Sequence, residues 1–331
     1  MRKIKWALLI PAILIIVYLL GPNPSTPVYS SAMPAVPAEP TALVNYIQQQ
    51  EAAHKIKPDN EARIVWANDS LKNKTEFALV YLHGFTASQG EGDPVHRDLA
   101  KKFGCNLYLS RLAEHGIDTT EPMVNLTADK YWESAKQAYA IGKQLGNKVI
   151  LVGTSTGGTL ALKLAAEYPE IHALILMSPN IAINDPTAWV LNNPWGLQIA
   201  RLVTGSKYLD SEDKREAYRK YWTYHYRIEA AVNLQELLET SMHKKTFERV
   251  RQPTLTLYYY KDQVHQDSTV KVSAIKEMFA QLGTPVDKKR EVAMPNTGDH
   301  VIGSSIRSND IPGVKRETER FMTEVLGLKP L

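Results

Sequence analysis

Lys148-Val149-Ile150-Leu151-Val152-Gly153-Thr154-Ser155-Thr156-Gly157-Gly158-Thr159-Leu160-Ala161-Leu162 decides how the rest of the chain is read. An apolar, β-branched run leads into a serine flanked by glycines, and a run rich in helix formers follows. The pattern predicts strand, sharp turn and helix, with Ser155 at the apex. Such a turn lifts the hydroxyl out at the top of a sheet. Glycines two before and two after the serine let backbone approach where a Cβ would clash. The N-terminus of the following helix favours negative charge developing beside the serine. The bare Gly-x-Ser-x-Gly pattern also arises by chance, so the flanking strand and helix give it its weight. Partner residues have to be found downstream.

Outward from this turn, strands and helices alternate. Strands are expected at 61–67, 77–82, 106–112, 148–152, 171–177, 254–260 and 289–293 from their apolar and β-branched content. Helices are expected at 42–55, 94–103, 128–145, from 158 to about 168, at 268–282 and at 314–326. Thr127 can cap the helix that Gly146 stops, and Pro169 ends the one behind Ser155. From about 180 to 251 the alternation breaks into a helical stretch with few strand signals. Asp185-Pro186 is a helix start there, and Ser211 begins another helical run. Alternation implies a mostly parallel sheet with helices on both faces, and the break implies a helical cap over the strand ends. Ligands bind in open α/β sheets at that edge.

A serine hydroxyl needs a base, usually histidine, and a carboxylate to orient that histidine. Asp262, just past the strand at 254–260, is the first choice for the acid. Asp267 is the reserve, because it falls later and reads as a helix start. Asp299 is disfavoured as the sequence neighbour of the base. His300 is the expected base, in the glycine-containing loop after the strand at 289–293. His83 precedes Gly84 and is expected to shape a loop at the sheet edge, His265 is near Asp262 but comes before the last strand, and His54, His96, His115, His172, His225 and His243 read most simply as surface or packing residues.

The order Ser155, Asp262, His300 is that of α/β-hydrolases. From about residue 60 to the C-terminus the chain resembles the lipase, esterase and serine-aminopeptidase-like branch of that superfamily. The resemblance implies the α/β-hydrolase fold and acyl transfer through Ser155, with His300 as base and Asp262 holding the imidazole. It also implies an oxyanion hole from two backbone N–H groups. One is Thr156, after the nucleophile; the other is Phe85, in Val80-Tyr81-Leu82-His83-Gly84-Phe85, where Gly84 leaves room for substrate. Arg111-Leu112-Ala113-Glu114-His115-Gly116 follows a strand at the same edge. Relatives commonly carry a glycine-rich loop there, so Glu114 and His115 are candidate substrate-binding residues. The aromatic cap residues, among them Trp189, Trp195, Tyr218, Trp222 and Tyr226, suit an acyl chain or pack the cap onto the core.

Over 331 residues the formal charge is +4, and Arg2, Lys3 and Lys5 supply three of those charges, which leaves about +1 (4 − 3). No basic stretch interleaved with aromatics suggests nucleic acid as a partner. Cys105 is the only cysteine, so no intrachain disulfide is possible, and it reads as a core residue. The basic start and the uncharged stretch Trp6 to Leu20 read as a signal anchor (residues 1–21) or a cleaved signal peptide. Either would attach or export the chain through a membrane and place the rest on the extracytoplasmic side. Residues 22–40, rich in proline, read as a largely unfolded spacer before a catalytic domain at 41–331. No metal motif, P-loop or dinucleotide fingerprint is present, and no cofactor is expected. The expected reaction is hydrolysis of a hydrophobic acyl ester, such as a lipid. A peptidase, an acyltransferase or a non-catalytic binding protein on the same fold are the alternatives.

Overall fold

The computed structural model describes residues 2–331. Helix α1 (Arg2–Leu19) precedes an extended segment, then α2 (Pro40–Ala52), β1 (Arg63–Val65), β2 (Thr75–Leu82), α3 (Val95–Lys102) and β3 (Asn106–Leu109). Next come α4 (Ala128–Leu145), β4 (Gly146–Thr154), α5 (Thr156–Glu167) and β5 (Ala173–Met177). The inserted region holds α6 (Gly196–Thr204), β6 (Tyr208–Asp210), α7 (Glu216–Tyr221), β7 (His225–Arg227), α8 (Ile228–Ser241) and α9 (Lys244–Arg249). β8 (Thr254–Tyr258), α10 (Val272–Gln281), β9 (Lys289–Ala293) and α11 (Ile311–Arg320) complete the chain.

Among the described residues, seven strands form one sheet in the order β1-β3-β2-β4-β5-β8-β9. Only β1 is antiparallel to its neighbour; every other pair is parallel. The central strands are buried on both faces, which explains why β4 and β5 are continuous apolar runs rather than alternating ones. Ala78, Val80 and Leu82 of β2 pack in one core with α4 and α5. Leu79 and Tyr81 pack in the other with α3 and the C-terminal helix. The register pairs Leu82 with Gly153 and Thr154 with Met177, so β2, β4 and β5 end at one edge, and Ser155 stands there. The mostly parallel sheet, with helices on both faces, is the α/β-hydrolase architecture expected from the sequence. Helix α4 begins one residue after Thr127, whose side chain accepts from Lys130 N–H, as the cap predicted.

Two expectations need correction. First, residues 22–40 are not a free spacer. The Trp132 indole donates to Ser30 O at 2.7 Å, Lys136 Nζ to Ala32 O at 2.8 Å and the Tyr168 hydroxyl to Ser31 O at 2.9 Å. Tyr29 bonds Thr240 at 2.7 Å and lies 3.7 Å under the Lys163 ammonium. Met33 and Val36 pack on the core. An extended proline-rich backbone keeps its carbonyls unpaired, so side chains on α4 and α5 can use them as acceptors. The catalytic domain therefore begins before residue 41. Second, the cap is not wholly helical: β6 and β7 form a two-stranded ribbon beginning just before Ser211. Among the described residues no helix is long and apolar enough to cross a membrane.

Candidate active site

Ser155 takes φ +53° and ψ −119°, a strained conformation for a residue with a Cβ. The strain is held by its surroundings. Ser155 N–H donates to Met177 O at 3.0 Å, and its carbonyl accepts from Asn180 N–H at 3.0 Å. A Cβ on Gly153 would stand 2.5 Å from Gly157 O, and one on Gly157 would run into Leu82 O. Both glycines are thus required by close approach of backbone to backbone, and the turn delivers a nearly buried serine to the start of α5.

The imidazole is held by a different carboxylate from the one expected. His300 Nδ1 lies 2.6 Å from Asp267 Oδ2, in a pair whose side chains are 11% and 0% exposed. Asp262 is half exposed and pairs instead with His265 at 2.9 Å. The backbone explains the correction. Past β8 the chain loops outward: Lys261 N–H bonds His265 O, and Tyr260 bridges Gln266. It then returns, and Asp267 N–H bonds Tyr259 O at 3.1 Å. Asp267 therefore occupies the strand end that residue counting assigned to Asp262. The N–H groups of Thr269 and Val270 hold its other oxygen. Burial opposes ionisation of Asp267, but His300 and these N–H groups outweigh it and keep the carboxyl below its usual range. Burial also opposes the imidazolium, yet Asp267, with Glu91 and Asp299, raises His300 above the ordinary histidine value. With Nδ1 facing Asp267, Nε2 is the nitrogen left for chemistry.

The His83-Gly84-Phe85 loop, expected to carry an oxyanion donor, packs beside Ser155. His83 is wholly buried, and its Nε2 accepts from Leu112 N–H at 2.9 Å. That fixes the proton on Nδ1, which donates to Gly84 O at 2.9 Å. Burial pushes this imidazole down to about 4, so it stays neutral. A Cβ on Gly84 would meet Glu91 Oε1 at 2.6 Å and Ser155 Cβ at 3.0 Å, which places the loop directly against the nucleophile. Among the described residues, the N–H groups of Phe85 and Thr156 donate to no protein acceptor. Both belong to segments beside Ser155, where the sequence placed the two oxyanion donors.

Ser155, His300, Phe85 and Glu91 line a cavity of about 800 Å³. Its far wall is the cap, through Val190, Ile199, Val203, Tyr218, Trp222 and Tyr226. Of the cap aromatics, Trp189 is exposed and Trp195 packs on Gly21, so neither serves the cavity. Ser155 and His300 share the cavity without a hydrogen bond between them among the described residues; such bonds commonly tighten only with substrate. The two candidates from the loop after β3 lie elsewhere. Glu114 faces Lys130 at 3.7 Å in a separate polar cavity, and His115 is buried beneath the oxyanion loop, bonded to Ala113 O and the Tyr131 hydroxyl. That loop turns back under β2 instead of rising to the cap. Glu91 was missed, since an acid in a Gly-Glu-Gly turn looks like an exposed loop residue; its sequence carries no signal of burial.

Comparison with known proteins agrees with this fold. Residues 73–294, well over half of the chain, match the family described as serine aminopeptidase, S33 (Hydrolase_4). A thermostable monoacylglycerol lipase of Bacillus sp. strain H-257 is 30% identical over 144 residues, which is 43% of this chain and 56% of that protein. The match thus spans little more than half the length of that relative. Among solved structures, one from work on the metagenome-derived lipolytic enzymes LipS and LipT superposes with a TM-score of 0.65 at 18% identity, over 81% of this chain and 99% of that one. Est1E from Butyrivibrio proteoclasticus, determined with ferulic acid, gives 0.54 at 18% identity, over 81% and 95%. The monoacylglycerol lipase of Paleococcus ferrophilus gives 0.52 at 15% identity, over 77% and 99%. At these identities the structures share the fold. The family match, on a sheet edge that presents a serine at a strained turn, makes this chain an α/β-hydrolase of the serine aminopeptidase S33 family, a serine hydrolase.

Proposed function

We propose that the protein hydrolyses a carboxylic ester of a hydrophobic acyl group through an acyl-enzyme on Ser155. The carrying observation is the cavity, whose catalytic wall holds Ser155 and His300 and whose cap wall is largely aliphatic and aromatic. Ser155 Oγ attacks the carbonyl carbon and passes its proton to His300 Nε2. Asp267 fixes the imidazole and stabilises its cation, while the Phe85 and Thr156 N–H groups receive the oxyanion. The proton then goes to the leaving alcohol, and His300 activates the water that releases the acid. The name of the Bacillus relative, a monoacylglycerol lipase, is consistent with this reading.

A series of p-nitrophenyl esters tests it on the full chain, since residues 28–36 belong to the folded body. Activity is expected to rise from acetyl to medium chains and to fall roughly a millionfold in Ser155→Ala. Cleavage of aminoacyl p-nitroanilides in place of all esters would favour the peptidase reading. Inertness towards both would favour acyl transfer to an acceptor other than water, or binding alone.

Attachment to a membrane, with the catalytic domain on the extracytoplasmic side, is a separate proposal. It is supported by the basic start of the chain and by the exposed apolar residues of α1, such as Ile10, Leu14 and Leu19. Flotation of the full chain with phospholipid vesicles is expected, and its recovery only from the lipid-free fraction would overturn attachment.

A further inference from the structure

We propose that Glu91 is a positioning residue of this site, which holds the loop carrying the Phe85 donor against the elbow and whose charge acts on His300 across the cavity. The inference rests on the hydrolase reading above and adds a group to it. Glu91 lies in the turn Gln89–Gly92 and is 2% exposed. Its Oε2 accepts from Gly84 N–H at 2.5 Å and from the Tyr81 hydroxyl at 3.1 Å. The Tyr81 hydroxyl also lies 3.0 Å from Thr154 Oγ1, in the residue before the nucleophile. A continuous set of hydrogen bonds thus joins the elbow to the oxyanion loop, with the carboxyl group of Glu91 in the middle. Its Oε1 accepts from no protein donor among the described residues, and Glu91 lines the cavity with Ser155 and His300.

A buried carboxyl in this place has two possible charges, and each acts on the reaction differently. As an anion it favours the imidazolium of His300, which must lose its proton before His300 can act as a base. An anion beside Gly84 also opposes the negative charge that forms on the substrate oxygen. As a neutral acid it relieves both effects. An ionised Glu91 therefore raises the pH at which His300 becomes available as a base.

The neighbours of Glu91 leave His300 as its partner. Tyr81 on β2 stays neutral, because burial raises it well above its usual value. His96 on α3 packs edge-on against Tyr81, and burial pushes it down to about 3. Tyr131 on α4 and Tyr218 on α7 are both raised, by burial first and then by the charge of Glu91 among others. His83 is neutral, and Asp93, the nearest other acid on this turn, acts on Tyr81 as a second negative charge. Burial pushes Glu91 itself up to about 7, against the pull of Gly84 N–H and His300.

Glu91→Gln separates the two roles, since its amide oxygen can still accept from Gly84 N–H and Tyr81 while the charge is gone. In this variant the acid limb of kcat/KM is expected to move down by roughly one pH unit, with kcat at the plateau within about tenfold of the parent. Glu91→Ala also frees the loop, and kcat is expected to fall roughly a hundredfold, as for a lost oxyanion donor. An unmoved acid limb in Glu91→Gln would overturn the action of the Glu91 charge on His300. An unchanged kcat in Glu91→Ala would overturn the positioning. Imidazole NMR of His300 in the resting protein reports the coupling without any substrate. A His300 titration that Glu91→Gln lowers supports the electrostatic role even where no ester is cleaved, and one that it leaves in place removes that role even where esters are cleaved.

Discussion

Two aspartate–histidine pairs formed within residues 262–300 have little in common beyond composition. In one, His265 lies 2.9 Å from Asp262 with side chains 61% and 49% exposed. In the other, His300 lies 2.6 Å from Asp267 with both side chains close to buried. The first is a local turn: three residues separate its members, and Asp262 also accepts from the N–H groups of Val264 and His265. Solvent screens it, and such pairs contribute little. The second joins the end of β8 to the loop after β9, which only the tertiary fold brings together. Its carboxylate is shielded from bulk solvent and is held by His300 and two N–H groups. Proximity of acid and imidazole is therefore a weak sign of function, and burial against a cavity that also holds the nucleophile is a strong one.

The sharpest break of this contrast is mutational. Asp267→Asn is expected to lower kcat on a p-nitrophenyl ester by roughly ten thousandfold, and Asp262→Asn by no more than about twofold. Equal losses, or the reverse order, would return the orienting role to Asp262.

Next in size is the pH dependence. His300 is raised above the ordinary histidine value of 6.5, and only its neutral form can accept the serine proton. Activity should therefore rise with pH through a limb above that value. In Asp267→Asn the limb should drop by about one unit or more, while His265→Gln leaves it in place.

Stability offers a subtler contrast. Asp267, lowered by its partners, favours the folded state above the ordinary aspartate value of 3.8, and this contribution is lost as the pH falls through its folded value. His300, raised, favours the folded state below 6.5, and that contribution is lost as the pH rises through its folded value. Both act fully between those limits. The Tm difference between parent and Asp267→Asn is expected to be widest there and to narrow on either side. A difference that does not vary with pH would mean that the pair stabilises by packing alone. The smallest effect is chemical: diethyl pyrocarbonate should modify exposed His265 first, with no change in activity, and inactivation should follow only the slower modification of His300.

Legibility in the sequence followed the range of the forces involved. Ser155 was readable because strand, glycines and helix are contiguous, and each glycine answers a backbone contact that the turn itself creates. His300 was readable as the polar residue after the last strand. Asp267 stood second because the outward loop at 261–266 depends on backbone hydrogen bonds that composition does not encode. Glu114 and His115 were placed at the cavity by analogy, but the loop after β3 turns away from it. Residues 22–40 were misread for a related reason. Proline content reports an extended backbone, whereas the donors that capture it, on Trp132, Lys136 and Tyr168, lie more than 90 residues downstream. The cap aromatics were legible as a group but not individually, since Trp222 and Tyr226 line the cavity while Trp189 is exposed.

Intact mass of the full chain, quenched in acid during turnover of a medium-chain p-nitrophenyl ester, asks whether Ser155 carries the acyl group. The expected result is a single acyl adduct that maps to the peptide holding Ser155, accumulates in Asp267→Asn and is absent from Ser155→Ala. Ester hydrolysis that persists in Ser155→Ala, or an adduct on any other residue, would contradict the mechanism.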